Sequence, residues 1–404
     1  MYDLLITRRK PWGLLASAAL LLLLSWLAIA RSEQLVDGSG RLLRQQIVWS
    51  VLGVFALFGI ARVNYRVLGR NSAIGLAIVI LALAAVYALP TVNGAHRWIR
   101  LGGIGIQPSE FAKLIFIVAL AQYLSRPDAT VSFITAVAAP IAICAVLMLL
   151  VLKEPDLGTS LTFLPVMFAM LWGAGVRRRD LIRMSVAGVM LLPLLWSQMS
   201  HEQRSRVTAL WEQNGPHEAA TADGFHLDQA KRMLSVGSVW GSFFGDEPTI
   251  AQPAFDRPSE SIDSPALPCS IESEEFDSSQ IIAVPIAARL RLPEPHTDSI
   301  FCIVGERFGL AGVGAMLSLY FLLIGSCIRT AAQTEEPVGR SIAVGVAALF
   351  AAEVLINAGM LVGLLPITGL SLPLISYGGS DLLVHLMALG LVISVARCQP
   401  SQIL

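Results

Sequence analysis

Leu292-Pro293-Glu294-Pro295-His296-Thr297-Asp298, continued by Ser299-Ile300-Phe301-Cys302-Ile303-Val304, is the stretch on which the reading of this chain turns. A polar segment, 200–297, runs into it. The apolar run that leaves it is long enough to cross a membrane as a helix. An ionisable cluster at such a junction sits where membrane meets water, partly desolvated and within reach of a substrate from either phase. Asp298 is therefore the first candidate for the chemical centre. Spacing alone leaves a plainer role open, with Thr297 or Asp298 as the N-cap of the helix that follows.

The rest of the chain agrees with a membrane setting. Of 404 residues, 55% are hydrophobic and 14% charged, and mean hydropathy is +0.66. Soluble domains carry roughly 25% charged residues. The formal net charge is zero, which argues against a nucleic-acid partner. The five cysteines, Cys144, Cys269, Cys302, Cys327 and Cys398, form no CxxC or Cys/His cluster. Neither a disulfide framework nor a zinc site is expected. Arg8-Arg9-Lys10 precede an apolar run that no small-residue cleavage site closes, so that run is expected to stay as a helix.

Ten segments are apolar enough to span: about 11–30, 43–61, 71–90, 109–125, 129–152, 156–175, 180–199, 298–326, 341–365 and 377–396. The expected fold is an all-α membrane protein of about ten transmembrane helices, with 1–404 forming a single polytopic domain. With the N-terminus inside, inner segments hold fourteen Lys and Arg. The outer short loops hold six, namely Arg31, Arg41, Arg44, Arg97, Arg100 and Lys153. The bias puts both the N- and C-termini in the cytoplasm and the large 200–297 loop, between helices 7 and 8, outside. Within that loop, Phe225–Phe244 carries Lys231-Arg232 among apolar residues and reads as an amphipathic interfacial helix. Asp246–Gln280 has nine acids against Arg257 alone and five prolines. That composition predicts a loosely packed, flexible acidic insert, 246–280.

Several motifs bear ionisable groups. In Gln107-Pro108-Ser109-Glu110-Phe111-Ala112-Lys113, Pro108 suits a first helical turn, and Glu110 and Lys113 share a face and can pair. A helix-start carboxylate with a snorkelling lysine explains them equally well. In His96-Arg97-Trp98-Ile99-Arg100, two guanidiniums beside an interfacial Trp suit a phosphate, as they suit an ordinary aromatic belt. Asp156, in Glu154-Pro155-Asp156-Leu157-Gly158-Thr159, is expected to cap the next helix. The glycines and prolines between Gly359 and Gly379 predict broken helix lining a cavity, with Glu353 and Asn357 adding polar atoms nearby.

Taken together and in order, these blocks resemble the SEDS family (shape, elongation, division and sporulation). The resemblance is carried by Arg97-Trp98-Ile99 with Leu101-Gly102, Gln107 to Leu114, Glu154 to Thr159, Leu292 to Asp298, and Pro373-Leu374-Ile375-Ser376-Tyr377-Gly378-Gly379-Ser380. Asn357-Ala358-Gly359-Met360 and Leu365-Pro366 look slightly nearer the RodA (elongation) branch than the FtsW (division) branch. Ser299, Arg307 and Asp381 depart from the family pattern, and so does the acidic insert.

The resemblance implies an inverting peptidoglycan glycosyltransferase in the cytoplasmic (inner) membrane. It would polymerise lipid II at the outer face and work with a class B penicillin-binding protein. It puts the essential acidic residue on Asp298, as general base. Substrate-binding candidates are Arg97, Arg100, Glu110, Lys113, Lys231, Arg232, Glu294, His296 and Ser380. A divalent cation bridging the diphosphate to Asp298 or Glu294 fits the chemistry, but the sequence holds no dedicated ligand spacing for one. Two rivals share the same features: a flippase for the lipid-linked precursor, and a silent scaffold for the transpeptidase.

Overall fold

The computed structural model describes residues 12–36, 39–89, 97–101, 104–126, 137–154, 156–199, 201–212, 222–244, 249–253, 281–285 and 296–398. A helix forms in each of the ten apolar segments. They are α1 (Trp12–Val36), α2 (Arg41–Arg62), α4 (Ser72–Val86, after the short α3, Tyr65–Arg70), α5 (Pro108–Leu124), α6 (Ala139–Lys153), α7 (Leu157–Gly173) and α8 (Arg178–Gln198). After the large loop come α12 (Ile300–Gln333), α13 (Pro337–Leu361) and α14 (Gly379–Arg397). The helices α1, α2, α12, α13 and α14 are long and apolar enough to span. The chain is a multi-pass membrane protein.

The two ends of the bundle sort the connections as the charge bias predicts. At one end, Glu336 accepts hydrogen bonds from Tyr65 (2.6 Å) and Arg66 (2.7 Å), and Arg397 donates to the carbonyl of Arg62 (2.7 Å). At the other, Arg97 donates to the carbonyl of Glu154 (2.7 Å), and the amide of Tyr377 to that of His296 (2.8 Å). Segments assigned inside therefore meet one another, as do segments assigned outside. Arg31 differs from expectation. It lies within α1 rather than in a loop, 8% exposed, and forms a bidentate pair with Glu306 of α12 at 2.7 and 3.1 Å. Two residues on, the Glu33 carboxylate accepts the amides of Leu42 (2.6 Å) and Leu43 (3.1 Å), satisfying donors that the start of α2 would leave orphaned.

In the large loop the described residues form helices and a short strand ladder. After α9 (His201–Glu212), the expected amphipathic helix forms as α10 (Ala222–Val236), with Ala230 and Met233 buried against α12. The turn after it, leading into α11 (Gly241–Phe244), docks on a break in α12. There Gly309 takes φ +64°, a conformation costly for any residue with a Cβ. The amides freed by the break, Leu310 and Ala311, donate to the carbonyls of Ser238 (3.0 Å) and Val239 (3.2 Å). Outside the bundle, β1 (Ile99–Leu101) pairs with β2 (Ile104–Ile106). β3 (Thr249–Pro253) pairs antiparallel with β4 (Ile281–Pro285), so the acidic insert is closed by a ladder that begins inside it; 254–280 lies outside the described residues.

Helix packing is tightest where side chains are smallest. A Cβ on Gly390 of α14 would lie 2.4 Å from the carbonyl oxygen of Leu57 in α2. That contact is with backbone, so the helices themselves must part to admit a methyl group. Gly390→Ala is expected to cost about 1–3 kcal/mol, read as a lower unfolding temperature of the purified protein. An unchanged temperature would contradict this packing.

Candidate active site

Three helices converge on one buried ammonium. Lys113, 2% exposed, lies one turn into α5, where Pro108 occupies the first turn as its sequence predicts. Its Nζ stands 2.6 Å from Glu110 of the same helix, 2.6 Å from Glu353 of α13 and 3.9 Å from Asp381 of α14. His385 completes the group. Its Nε2 meets Glu353 at 2.5 Å, and its Nδ1 lies 2.8 Å from the Asp381 carbonyl and 3.1 Å from that carboxylate. All five side chains are buried. Buried charge is tolerated only when paired, and here three carboxylates share one ammonium and one imidazole. Lys113 therefore does not snorkel to the interface; carboxylates from three helices enclose it.

One turn along α13 from Glu353, the same helix face reaches the outer end. Asn357, fully buried, donates from Nδ2 to the backbone carbonyls of Asp298 (2.9 Å) and Leu370 (2.6 Å). Asp298 is half-buried, and its carboxylate accepts a 3.3 Å bond from Ser299. The N-cap position of α12 is Ser299, so Asp298 does not occupy it. The segment between α13 and α14 folds over this point. A Cβ on Gly369 would stand 3.9 Å from the Asp298 carboxylate, while Ser371 donates to Asp381 at 2.9 Å. His296 packs edge-on against Tyr377, with ring centroids 5.5 Å apart. The broken segment predicted between Gly359 and Gly379 thus spans from the outer carboxylate to the buried cluster.

The other candidates sit around this axis. Asp156 caps α7 through the Thr159 amide (3.0 Å), as expected, and also accepts from Gln107 (3.0 Å) just ahead of α5. Arg97 binds the same turn through Glu154, whereas Arg100 is exposed on β1. Lys231 and Arg232 ride on α10, which packs on the helix that begins beside Asp298. Ser380 is 3% exposed, and its hydroxyl meets no protein partner among the described residues. Glu294 lies outside the described residues. Among the described residues, no group of three or more His, Cys, Asp or Glu side chains is arranged to hold a metal ion. Sequence reasoning missed His385 and the inward role of Asp381. The available signal was their i,i+4 spacing inside an apolar segment, where ionisable residues are costly.

A family model described as cell cycle protein, covering FtsW, RodA and SpoVE, matches residues 9–249 and 288–400. The chain belongs to this family. It is 29% identical to the probable peptidoglycan glycosyltransferase FtsW of Trichlorobacter lovleyi, over 95% of this chain and 90% of that protein. It is 29% identical to the stage V sporulation protein E of Bacillus subtilis, over 96% and 98%. Its fold matches a chain of a peptidoglycan synthase complex, studied for how it coordinates polymerization and crosslinking, with a TM-score of 0.74, 27% identity and coverage of 96% and 98%. The rod shape determining protein RodA of Thermus thermophilus matches with a TM-score of 0.66, 25% identity and coverage of 98% and 99%.

Glu154, in the outer turn after α6, is fully buried, and neither carboxylate oxygen meets a donor among the described residues. Burial first, and the Asp156 carboxylate second, push its pKa up to about 8, against the pull of Arg97. The folded protein therefore holds a proton there that the unfolded chain, with an ordinary value near 4.5, gives up. Stability from this group is present below that ordinary value and is lost as pH rises through about 8. Glu154→Gln is expected to unfold at a higher temperature than the parent at pH 9, with the gap closing toward pH 5. Parallel curves for the two proteins would contradict the assignment.

Proposed function

We propose that this chain is a peptidoglycan glycosyltransferase that polymerises lipid II at the outer face of the cytoplasmic membrane, for elongation or division. Its relatives bear that activity in their names. The observation that carries the mechanism is the half-buried carboxylate of Asp298, held at the outer end of the bundle by the Asn357 amide. Partial burial of such a group strengthens it as a base while leaving it open to substrate.

In this reading Asp298 takes the proton of the acceptor sugar's 4-hydroxyl as that oxygen attacks the anomeric carbon of the donor. The carbon–oxygen bond to undecaprenyl diphosphate breaks, and the electron pair leaves with the diphosphate. One displacement inverts the anomeric centre, giving a β-linked product from an α-linked donor. The leaving group needs neutralised charge more than a proton. Arg97, Arg100, Lys231 and Arg232, all on the outer side, are assigned to that task. Lys113 and Glu110, enclosed in the bundle, are assigned to holding the helices rather than to binding diphosphate. His296 and the unpartnered Ser380 hydroxyl are placed at the rim of the sugar site, with Glu294 beside them in sequence. A class B penicillin-binding protein is the proposed partner, in keeping with the synthase complex that contains a similar chain.

Purified protein supplied with lipid II tests this reading. Asp298→Ala and Asp298→Asn are each expected to lower polymer formation by roughly a hundredfold or more, with the unfolding temperature preserved. Polymer made at the parental rate by either variant would remove Asp298 from the chemistry. Lipid translocation in vesicles without any polymer would favour the flippase, and cell-shape complementation by an inactive Asp298→Asn protein would favour the scaffold.

A further inference from the structure

A second concentration of positive charge lies at the opposite, cytoplasmic end of the bundle. There the last turns of α5 and α7 meet the first turn of α13 around an open cavity of about 270 Å³, lined by Ser125, Arg126, Gly173, Pro337, Arg340 and Ser341. Arg126 and Arg340 are both exposed, and neither meets a carboxylate among the described residues. Each is nonetheless held in place. Arg340 donates to the carbonyls of Thr334 and Glu335, both at 3.1 Å, and the Arg126 guanidinium lies 5.4 Å from the centre of the Tyr123 ring.

Two further features point to an anion. α13 is 25 residues long and begins at this cavity, with Pro337 in its first turn, so the positive end of its dipole faces the same space. Ser341, only 7% exposed, lines the cavity, and its hydroxyl has no hydrogen-bond partner among the described residues. Two held guanidiniums, a helix start and an unpartnered hydroxyl match the oxygens of a phosphate ester. The depth of the site narrows the source. Trp172, next to Gly173 on α7, is 67% exposed at the end of its helix, the position of an interfacial aromatic anchor. The cavity therefore opens at the level of the inner-leaflet headgroups.

The geometry points to this cavity as a binding site for the phosphodiester headgroup of an anionic phospholipid of the inner leaflet. Such a lipid ties the ends of α5, α7 and α13 together from the side opposite the chemistry. The inference does not depend on the role of Asp298.

Native mass spectrometry of the purified full-length protein tests it, with phosphatidylglycerol and phosphatidylcholine as paired probes and inorganic phosphate as competitor. The parent is expected to retain phosphatidylglycerol in preference to phosphatidylcholine, and millimolar phosphate is expected to leave that lipid bound. Arg126→Gln/Arg340→Gln is expected to reduce the preference on the order of tenfold. Ser341→Ala, which removes only a hydroxyl, is expected to reduce it severalfold and serves if the double variant does not fold. Equal retention of the two lipids by the parent, or a preference untouched in the variants, would overturn the site. Displacement by inorganic phosphate would overturn the lipid as its occupant.

Discussion

The buried ammonium of Lys113 is the constraint on which the rest of the bundle depends. An uncompensated charge in that position is costly, and removing one member of such a pair costs about 3–5 kcal/mol. Lys113 can remain there only because Glu110, Glu353 and Asp381 come to it from α5, α13 and α14. The requirement works in both directions. The three carboxylates need the cation and the His385 imidazole as much as these need the carboxylates. Apolar contacts bring helices together in many rotations and offsets; this cluster is satisfied in one.

That fixed arrangement is transmitted outward by a single helix face. Glu353 and Asn357 stand one turn apart on α13. The first anchors the cluster, and the second holds the backbone at Asp298 and at Leu370. The segment carrying Gly369 and Ser371 links the same two points a second time. Charge pairing deep in the bundle thus sets the position of a carboxylate at its rim. The chemistry asks for this separation. A base must be near water and substrate, where charge is cheaply solvated and positional restraint is weak, so the restraint has to come from elsewhere. Arg31 and Glu306 supply another fixed point at the same end, joining α1 to α12.

How much of this the sequence disclosed follows the range of the interactions. The ten helices, the Pro108 start of α5, the Asp156 cap and amphipathic α10 were all legible, because each is written in residues within a few turns of one another. The Glu110–Lys113 pair was legible for the same reason. Its partners were not, since Glu353 lies 240 positions from Lys113 and local spacing carries no trace of that contact. Asp381 looked like a mere departure from the family pattern until α14 turned it inward beside His385. The break at Gly309 was hidden because its freed amides are satisfied by a loop some seventy residues earlier. The β3–β4 ladder was hidden because its strands pair across some thirty residues.

The coupling between the buried cluster and the outer carboxylate is measured most directly by hydrogen exchange on the intact purified protein, comparing the parent with Lys113→Met. Methionine fills similar space without the charge, leaving Glu110 and Glu353 without their cation. The predicted result is a loss of amide protection in the peptides spanning 296–302 and 366–372, well beyond any change at α8, whose described residues take no part in the network. Protection at those two peptides that matches the parent would contradict the account, because the cluster would then hold its own helices without governing the position of Asp298.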